Sequence, residues 1–333
     1  MKAIVLNEFG GVENFEEKEV DHPFVKDKEV LIRIKATAFN PIDYQMRRGA
    51  AESKLLKSNI LGRELSGEII KTGDKVSGFN IEDKVTAYVG SLASNGTYAE
   101  LISVPQDLLA INPKGLSFEE ATAIPMVGMT ALQCFKRVKI PENKKIFIAG
   151  GAGGVGTILI KLLLANGNSQ IYTTAGNSES INHLIALGLN NENIINYNEY
   201  DVCSVLEESD FDYVFDLVGG KMSDDCAKLV SVYGTYVDVT FLATETAKEL
   251  LFDKATQIIN IANYAQSFIK GEDKLSYYGK ALKELFNRIE IGEITPTSIR
   301  LIGSLNVETV KKAHLLMEEN KTFGKKLVMS IEG

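Results

Sequence analysis

Residues 144–157 read Lys-Lys-Ile-Phe-Ile-Ala-Gly-Gly-Ala-Gly-Gly-Val-Gly-Thr, and they leave the backbone few options. Ile146–Ala149 is a short apolar run of the kind that forms a buried strand, and it passes directly into five glycines within seven residues. The apolar stretch 157–166 that follows predicts a helix, which Gly167 can end. Gly151, Gly153 and Gly156 carry the spacing G-x-G-x-x-G. Between a strand and a helix, each glycine in that spacing has its own task. One makes the tight turn, one lets backbone approach a pyrophosphate, and one permits close helix–strand packing. The helix adds unpaired N–H groups and the positive end of its dipole. Gly151, Gly153, Gly154, Val155 and Gly156 are therefore the candidates for cradling a dinucleotide phosphate.

A chain of 333 residues has room for about two domains. Its net charge of −8 would be repelled by phosphate backbones, which argues against a nucleic-acid partner. Met1–Glu8 holds too short an apolar run for a signal-peptide core. The most apolar helical segment, 158–165, is broken by Lys161 and is far shorter than the ~20 residues that span a bilayer. Three widely spaced cysteines, Cys134, Cys203 and Cys226, fit reduced thiols. The expectation is a cytoplasmic protein with no membrane association.

Up to residue 118 the texture is strand and turn. Lys2–Leu6, Val30–Phe39, Leu65–Lys71, Lys84–Val89 and Tyr98–Val104 read as strands, with Gly62, Gly73, Gly78 and Gly96 in the turns between them. Short, frequent strands of this kind indicate a barrel-like unit. Ser117 with Glu120 three residues on is a capping box that opens a helix. From 144 onward strands alternate with helices, as in a doubly wound parallel sheet. Gln170–Thr174, Ile194–Tyr197, Tyr213–Leu217 and Thr235–Val239 supply its further strands, and a helix near Ser180–Leu187 is closed by Gly188. The chain ends with helical stretches at Leu275–Ile289 and Val307–Asn320 and a strand at Lys326–Ile331.

Several segments in fixed order extend this pattern. They are Asn40-Pro41-Ile42-Asp43, Leu61-Gly62-Arg63-Glu64, Gly96-Thr97-Tyr98-Ala99-Glu100 and Ala123-Ile124-Pro125 through Ala131. Beyond the glycine loop come Ile195-Asn196-Tyr197, Phe211–Asp216 and Gly324-Lys325-Lys326-Leu327-Val328. In these the chain resembles the medium-chain dehydrogenase/reductase superfamily, and most of all its zinc-free quinone oxidoreductase and enone reductase branch. The resemblance implies an α/β architecture with a GroES-like, partly closed β-barrel domain formed by both chain ends (1–119 and 270–333). A Rossmann domain (120–269) would be inserted between them.

Zinc-dependent members hold their metal with cysteine and histidine. Here Asn40 stands at the position resembling the first zinc cysteine, and Gly62-Arg63-Glu64 replaces Gly-His-Glu. Tetrahedral zinc needs three or four such ligands to converge, so no metal is expected. For the cofactor, an NAD site commonly places a carboxylate about 20 residues beyond the glycine motif. The strand here ends in Thr173-Thr174-Ala175-Gly176-Asn177-Ser178 with no acid before Glu179, which favours NADP(H). Thr174, Asn177 and Ser180 are candidates for the ribose-phosphate end. Tyr197 matches a tyrosine near the adenosine phosphate in the family, and equally it reads as a strand-end core aromatic. By resemblance Thr130 contacts the nicotinamide ribose and Lys326 joins the cofactor-binding set. Val239 and Thr240 fall at a strand's carboxyl end, where ligands of such sheets bind.

Hydride transfer without a metal suits an acceptor that spreads charge over its own conjugation, a quinone or an α,β-unsaturated carbonyl. The catalytic candidates lie beside Asn-Pro-Ile-Asp: Asn40, Tyr44 and Gln45. Gln45 takes the place of a common lysine or tyrosine, and can donate a hydrogen bond to an enolate oxygen but not protonate it. It also reads as an ordinary polar helix residue. Two alternatives stay open: a zinc-free dehydrogenase of one metabolite, and an NADP(H)-binding redox sensor or structural protein with little turnover. The family commonly forms homodimers through an edge strand, for which residues 258–269 are the candidate.

Overall fold

The computed structural model describes residues 1–322 and 324–332. The chain divides into two units. One comprises 1–129, 264–292 and 296–333, and the other 130–263 with 293–295.

The first unit begins with β1 (Lys2–Leu6) and β2 (Phe15–Glu19), an antiparallel pair. Next come β3 (Glu29–Ala38), helix α1 (Pro41–Arg47), β4 (Glu64–Thr72), β5 (Lys84–Tyr88), β6 (Leu101–Pro105) and β7 (Leu109–Ile111). Helix α2 (Phe118–Thr122) carries the capping box: Glu120 N–H donates to Ser117 Oγ at 3.1 Å, and Ser117 N–H to Glu120 Oε2 at 2.9 Å. Helix α3 (Pro125–Val138) follows. Strand β6 starts three residues later than the pattern suggested. The expected first residue, Tyr98, instead donates its N–H to Leu61 O and is wholly buried.

The second unit is a parallel sheet with strictly alternating connections through most of its length. It comprises β8 (Ile146–Ala149), α4 (Gly154–Ala165), β9 (Ile171–Ala175), α5 (Ser178–Leu187), β10 (Ile194–Asn196), α6 (Val202–Val205) and β11 (Phe211–Asp216). It continues with α7 (Met222–Leu229), β12 (Val230–Asp238), α8 (Glu245–Asp253) and β13 (Gln257–Asn260). The strand order is β10-β9-β8-β11-β12-β13, every pair parallel. Counted from β8, that is the dinucleotide order 3-2-1-4-5-6, with its reversal between β8 and β11. Every residue of β8 is buried, as expected of a strand covered on both faces. Each of its larger side chains contributes about 1.5–3 kcal/mol through burial.

The expected edge segment 258–269 is only partly a strand. After β13 the chain turns into a 3-10 helix, Asn263–Phe268. The buried Asn263 draws it inward, donating Nδ2 to Thr130 Oγ1 at 2.9 Å and accepting from Gln133 Nε2 at 2.7 Å.

The chain then returns to the first unit as α9 (Ser276–Glu290), β14 (Ile299–Ser304), α10 (Val307–Glu318) and β15 (Lys326–Ser330). Strand β15 pairs antiparallel with β3 in the register Val328↔Ala38, Met329↔Thr37 and Ser330↔Ala36. The sheet order β14-β15-β3-β4-β5-β7, with β6 also on β3, thus joins both chain ends in one unit. No helix among the described residues is long and apolar enough to cross a membrane.

Candidate functional site

The glycine loop lies at the carboxyl end of β8, beside the point where strand order reverses. Its backbone is partly tied down from below: Gly150 N–H donates to Thr174 Oγ1 at 2.9 Å and Gly151 N–H to Thr173 Oγ1 at 3.0 Å. Thr174, a cofactor candidate, is buried and so acts on the loop from beneath. A Cβ on Gly156 would sit 2.5 Å from Gly151 Cα and 2.7 Å from Gly150 O, so Gly156 serves helix–loop contact. Gly153 differs. Its φ is −74°, and an added Cβ would meet only Gly150 O at 3.3 Å. As N-cap of α4 it provides no side chain to the first turn. The N–H groups of Gly154, Val155 and Gly156 stand where a helix has no acceptor of its own. The cradle therefore fits a pyrophosphate.

At the end of β9 the chain passes through Gly176 into α5. Asn177 caps that helix, its Oδ1 accepting from Ser180 N–H at 2.9 Å, which commits two of the candidates to each other. Tyr197 is 45% exposed and is no core residue; its ring lies where any Cβ on Gly176 would have to go. Asn198 Nδ2 donates to Gly176 O at 2.6 Å and holds the same turn. Val239 and Thr240 follow β12 directly, and Thr240 N–H donates to Asp238 Oδ1 at 2.9 Å. Thr130 is mostly buried, with Oγ1 accepting from Asn263.

In the first unit the remaining candidates gather in a buried charge hub. Asn40, 2% exposed, is the N-cap of α1; its N–H donates to Asp43 Oδ2 at 2.8 Å. Asn40 Nδ2 donates to Glu64 Oε1 at 2.8 Å, and its Oδ1 accepts from the Lys326 ammonium. Lys326 Nζ also pairs with Glu64 Oε1 at 2.7 Å. The second Glu64 oxygen accepts from Met126 N–H, in the first turn of α3, at 2.7 Å. Lys326 thus spends its ammonium on two partners within this unit, although the sequence suggested the cofactor. Asn40 likewise is locked at both ends of its amide.

Arg63 and Glu64, adjacent at the start of β4, were not singled out from the sequence as site residues beyond the missing zinc histidine. A charged pair opening a buried strand was the available signal. Arg63, 2% exposed, pairs with Glu52 and donates to Tyr88 Oη at 2.8 Å. Burial disfavours its charge, but Tyr88 and Glu52 more than offset this and raise its pKa. Burial pushes Asp43 up to about 7 against the pull of Arg63 and of the Asn40 N–H. Tyr98 is raised well above its usual value by burial and by Asp43, and its hydroxyl meets His314 Nε2 at 3.2 Å. His314, enclosed by Phe15 and Phe39, is driven down to about 3 by burial and by Arg47.

Tyr44 and Gln45 lie on α1 next to this hub and are half-buried; the Gln45 amide has no protein partner among the described residues. Nor, among those residues, does any group of three or more His, Cys, Asp or Glu converge as for a metal. With an amide at 40, a guanidinium at 63 and an ammonium already bound to Glu64, the residues present do not fit zinc.

Residues 26–114 match the family model described as alcohol dehydrogenase GroES-like domain, and residues 189–328 that of zinc-binding dehydrogenase. The chain is 35% identical over 240 residues to the mitochondrial NAD(P)H oxidoreductase RTN4IP1 of Dictyostelium discoideum, covering 68% of this chain and 67% of that one. It is 28% identical to the chloroplastic NADPH-dependent alkenal/one oxidoreductase of Arabidopsis thaliana, over 99% of this chain and 80% of the relative. The solved quinone oxidoreductase of Coxiella burnetii superimposes with a TM-score of 0.82 at 29% identity, covering 100% of this chain and 99% of its own. The glycine loop, the strand order and the shared sheet of both chain ends agree with these matches. The chain belongs to the medium-chain dehydrogenase/reductase superfamily, in its branch of quinone and enone oxidoreductases.

Proposed function

We propose that this protein is a zinc-independent, NADPH-dependent reductase of quinones or α,β-unsaturated carbonyls. The observation that carries the cofactor half is the open first turn of α4 together with the absence of a carboxylate where β9 meets Gly176. An acid there would repel a 2′-phosphate, whereas Asn177, Ser178 and Ser180 present uncharged polar groups. The Arabidopsis relative, named as NADPH-dependent, supports the same reading.

When bound, the cofactor supplies a hydride to the electrophilic carbon of the acceptor. The chain's own task is to hold the reactants in line and to meet charge on the acceptor oxygen. Gln45, with its free amide on a helix capped by Asn40 and Asp43, is our donor to that oxygen, and Tyr44 flanks it. Asn40 and Lys326 act as positioning residues: the hub fixes the start of α1. The proton that completes reduction comes from solvent, Tyr44 or a ribose hydroxyl, since a glutamine amide does not supply one. We further read the protein as cytoplasmic, in keeping with three free cysteines, and as a homodimer joined through β13, whose edge residues are largely exposed.

A panel of NADPH and NADH, each offered with quinones, alkenals and cyclic enones, tests this by following cofactor oxidation. Turnover should be faster with NADPH and require a conjugated acceptor. Tight NADPH binding with no turnover on any acceptor would favour the sensor reading.

A further inference from the structure

Two loops at the carboxyl edge of the parallel sheet share one construction. After β11, Asp216 Oδ1 accepts from Val218 N–H at 3.0 Å and Gly219 N–H at 2.7 Å. After β12, Asp238 Oδ1 accepts from Thr240 N–H at 2.9 Å and Phe241 N–H at 2.7 Å. The third residue beyond each aspartate is left-handed: Gly219 at φ +74° and Phe241 at φ +57°. Glycine adopts that conformation without strain, and a bulky aromatic does not. The second loop therefore holds a strained residue where glycine would serve the turn better. Its ring is not repaid by packing, because Phe241 is 89% exposed. Strain and an apolar ring in water are both unfavourable, and strained residues concentrate at ligand sites, so the position of the strained ring on the sheet decides its meaning.

The neighbours say which ligand. The two loops are tied together, Gly220 N–H donating to Leu242 O at 2.8 Å, and a Cβ on Gly219 would strike Leu242 Cβ at 2.7 Å. Val218 in turn lies against Gly150, at the head of the glycine loop, within 2.9 Å of where a Cβ there would stand. Val218, Leu242 and Phe241, all substantially exposed, thus run as an apolar rail away from the phosphate cradle. They run opposite to Gly176 and Tyr197, on the far side of β8. Phe241 follows β12, two strands from β8, or about 10 Å along the edge. A dinucleotide whose pyrophosphate sits on α4, with its adenosine toward β9, brings its reactive ring to this side.

We infer that Phe241 is a specificity-determining residue: its ring is the wall on which a flat, conjugated acceptor stacks. This rests on the reductase reading above and narrows it to planar ring acceptors, above all quinones, over short alkenals. Tyr233 is the internal control. It too is left-handed (φ +62°) and 80% exposed, but it lies in the amino-terminal half of β12, away from the ligand edge.

The test uses the intact protein with NADPH and two acceptors, 1,4-naphthoquinone and acrolein. Phe241→Ala should raise KM for naphthoquinone by about 10-fold, as expected for loss of an aromatic contact. Acrolein KM and NADPH affinity should change by less than about 2-fold on the same grounds. Phe241→Tyr should restore the naphthoquinone KM, and Tyr233→Ala should leave it unchanged. Phe241→Gly should weaken naphthoquinone as alanine does while leaving Tm level or higher, because the strain is gone. If wild type turns over neither acceptor, the reductase reading fails; equilibrium binding of naphthoquinone to the NADP⁺ complex then still tests the wall, and Phe241→Ala must weaken it. An unchanged naphthoquinone affinity in Phe241→Ala, a fall in Tm of several degrees in Phe241→Gly, or dissociation of an oligomer in either variant would overturn the assignment.

Discussion

The phosphate cradle and the charge hub solve opposite problems. The cradle is made of backbone with the side chains removed: Gly151 and Gly156 admit close contact, and Gly153 leaves the first turn of α4 open. It is unsatisfied by design and waits for an anion. The hub is made of side chains that satisfy one another, with Glu64, Lys326 and Asn40 closing a ring in a buried place. It waits for nothing, and its work is to fix α1, on which Tyr44 and Gln45 ride. Disturbing the hub should therefore show in stability, and disturbing the cradle in ligand affinity.

The largest expected effect comes from splitting the hub. Lys326→Met leaves the Glu64 carboxylate buried without its cation, at a cost of about 3–5 kcal/mol in urea unfolding. Adding Glu64→Gln to that variant should recover part of the loss, since a neutral amide suffers less from burial. A loss below about 1 kcal/mol in the single variant would mean the ring is only apparent.

Next is Gly153→Asp. The φ of −74° suits any residue, and an added Cβ meets one atom, Gly150 O at 3.3 Å, which has to give by a few tenths of an ångström. The fold should therefore hold, while a carboxylate at the cradle should weaken NADPH by at least about 100-fold, the scale of an unpaired buried charge. Retained affinity in a calorimetric titration would show that phosphate does not sit there. Gly156→Ala sharpens the contrast within the same loop. Its Cβ has no room against Gly151 and Gly150, so it should cost about 1–3 kcal/mol of stability.

The smallest effect is on pH dependence. His314 has a folded pKa near 3, below its usual 6.5, so the unfolded chain takes up the proton first, and stability is lost as pH falls from 6.5 toward 3. Asp43 has a folded pKa near 7, above its usual 3.8, so the folded state holds its proton longer and stability is lost as pH rises from 3.8 toward 7. The two slopes oppose each other over most of that window. His314→Phe removes the first, so relative to wild type its urea midpoint at pH 5 should improve compared with pH 8. Equal differences at both pH values would place the histidine's titration elsewhere.

What could be read directly from the chain was whatever short-range geometry controls. The glycine spacing, the Ser117–Glu120 capping box and the left-handed Gly188 that closes α5 each complete themselves within a few residues, so the sequence alone determined them. Strands β8 through β12 and helices α4 and α5 were legible for the same reason, whereas α6, α7 and α8 were not marked individually. Other features were settled only in three dimensions. Nothing local announces that Lys326 meets Asn40, 286 residues away; strand register and closure of the sheet by β15 bring them together. Nor does the pattern at 258–269 reveal that Asn263 turns the chain inward toward Thr130 and Gln133. Tyr197 read equally as a tyrosine near the adenosine phosphate and as a strand-end core aromatic, and the turn at Gly176, which sets its ring outside, removes the second reading. Backbone hydrogen bonds close over short spans and leave a mark in the sequence, whereas the partner of a buried side chain is chosen by packing that no single segment contains.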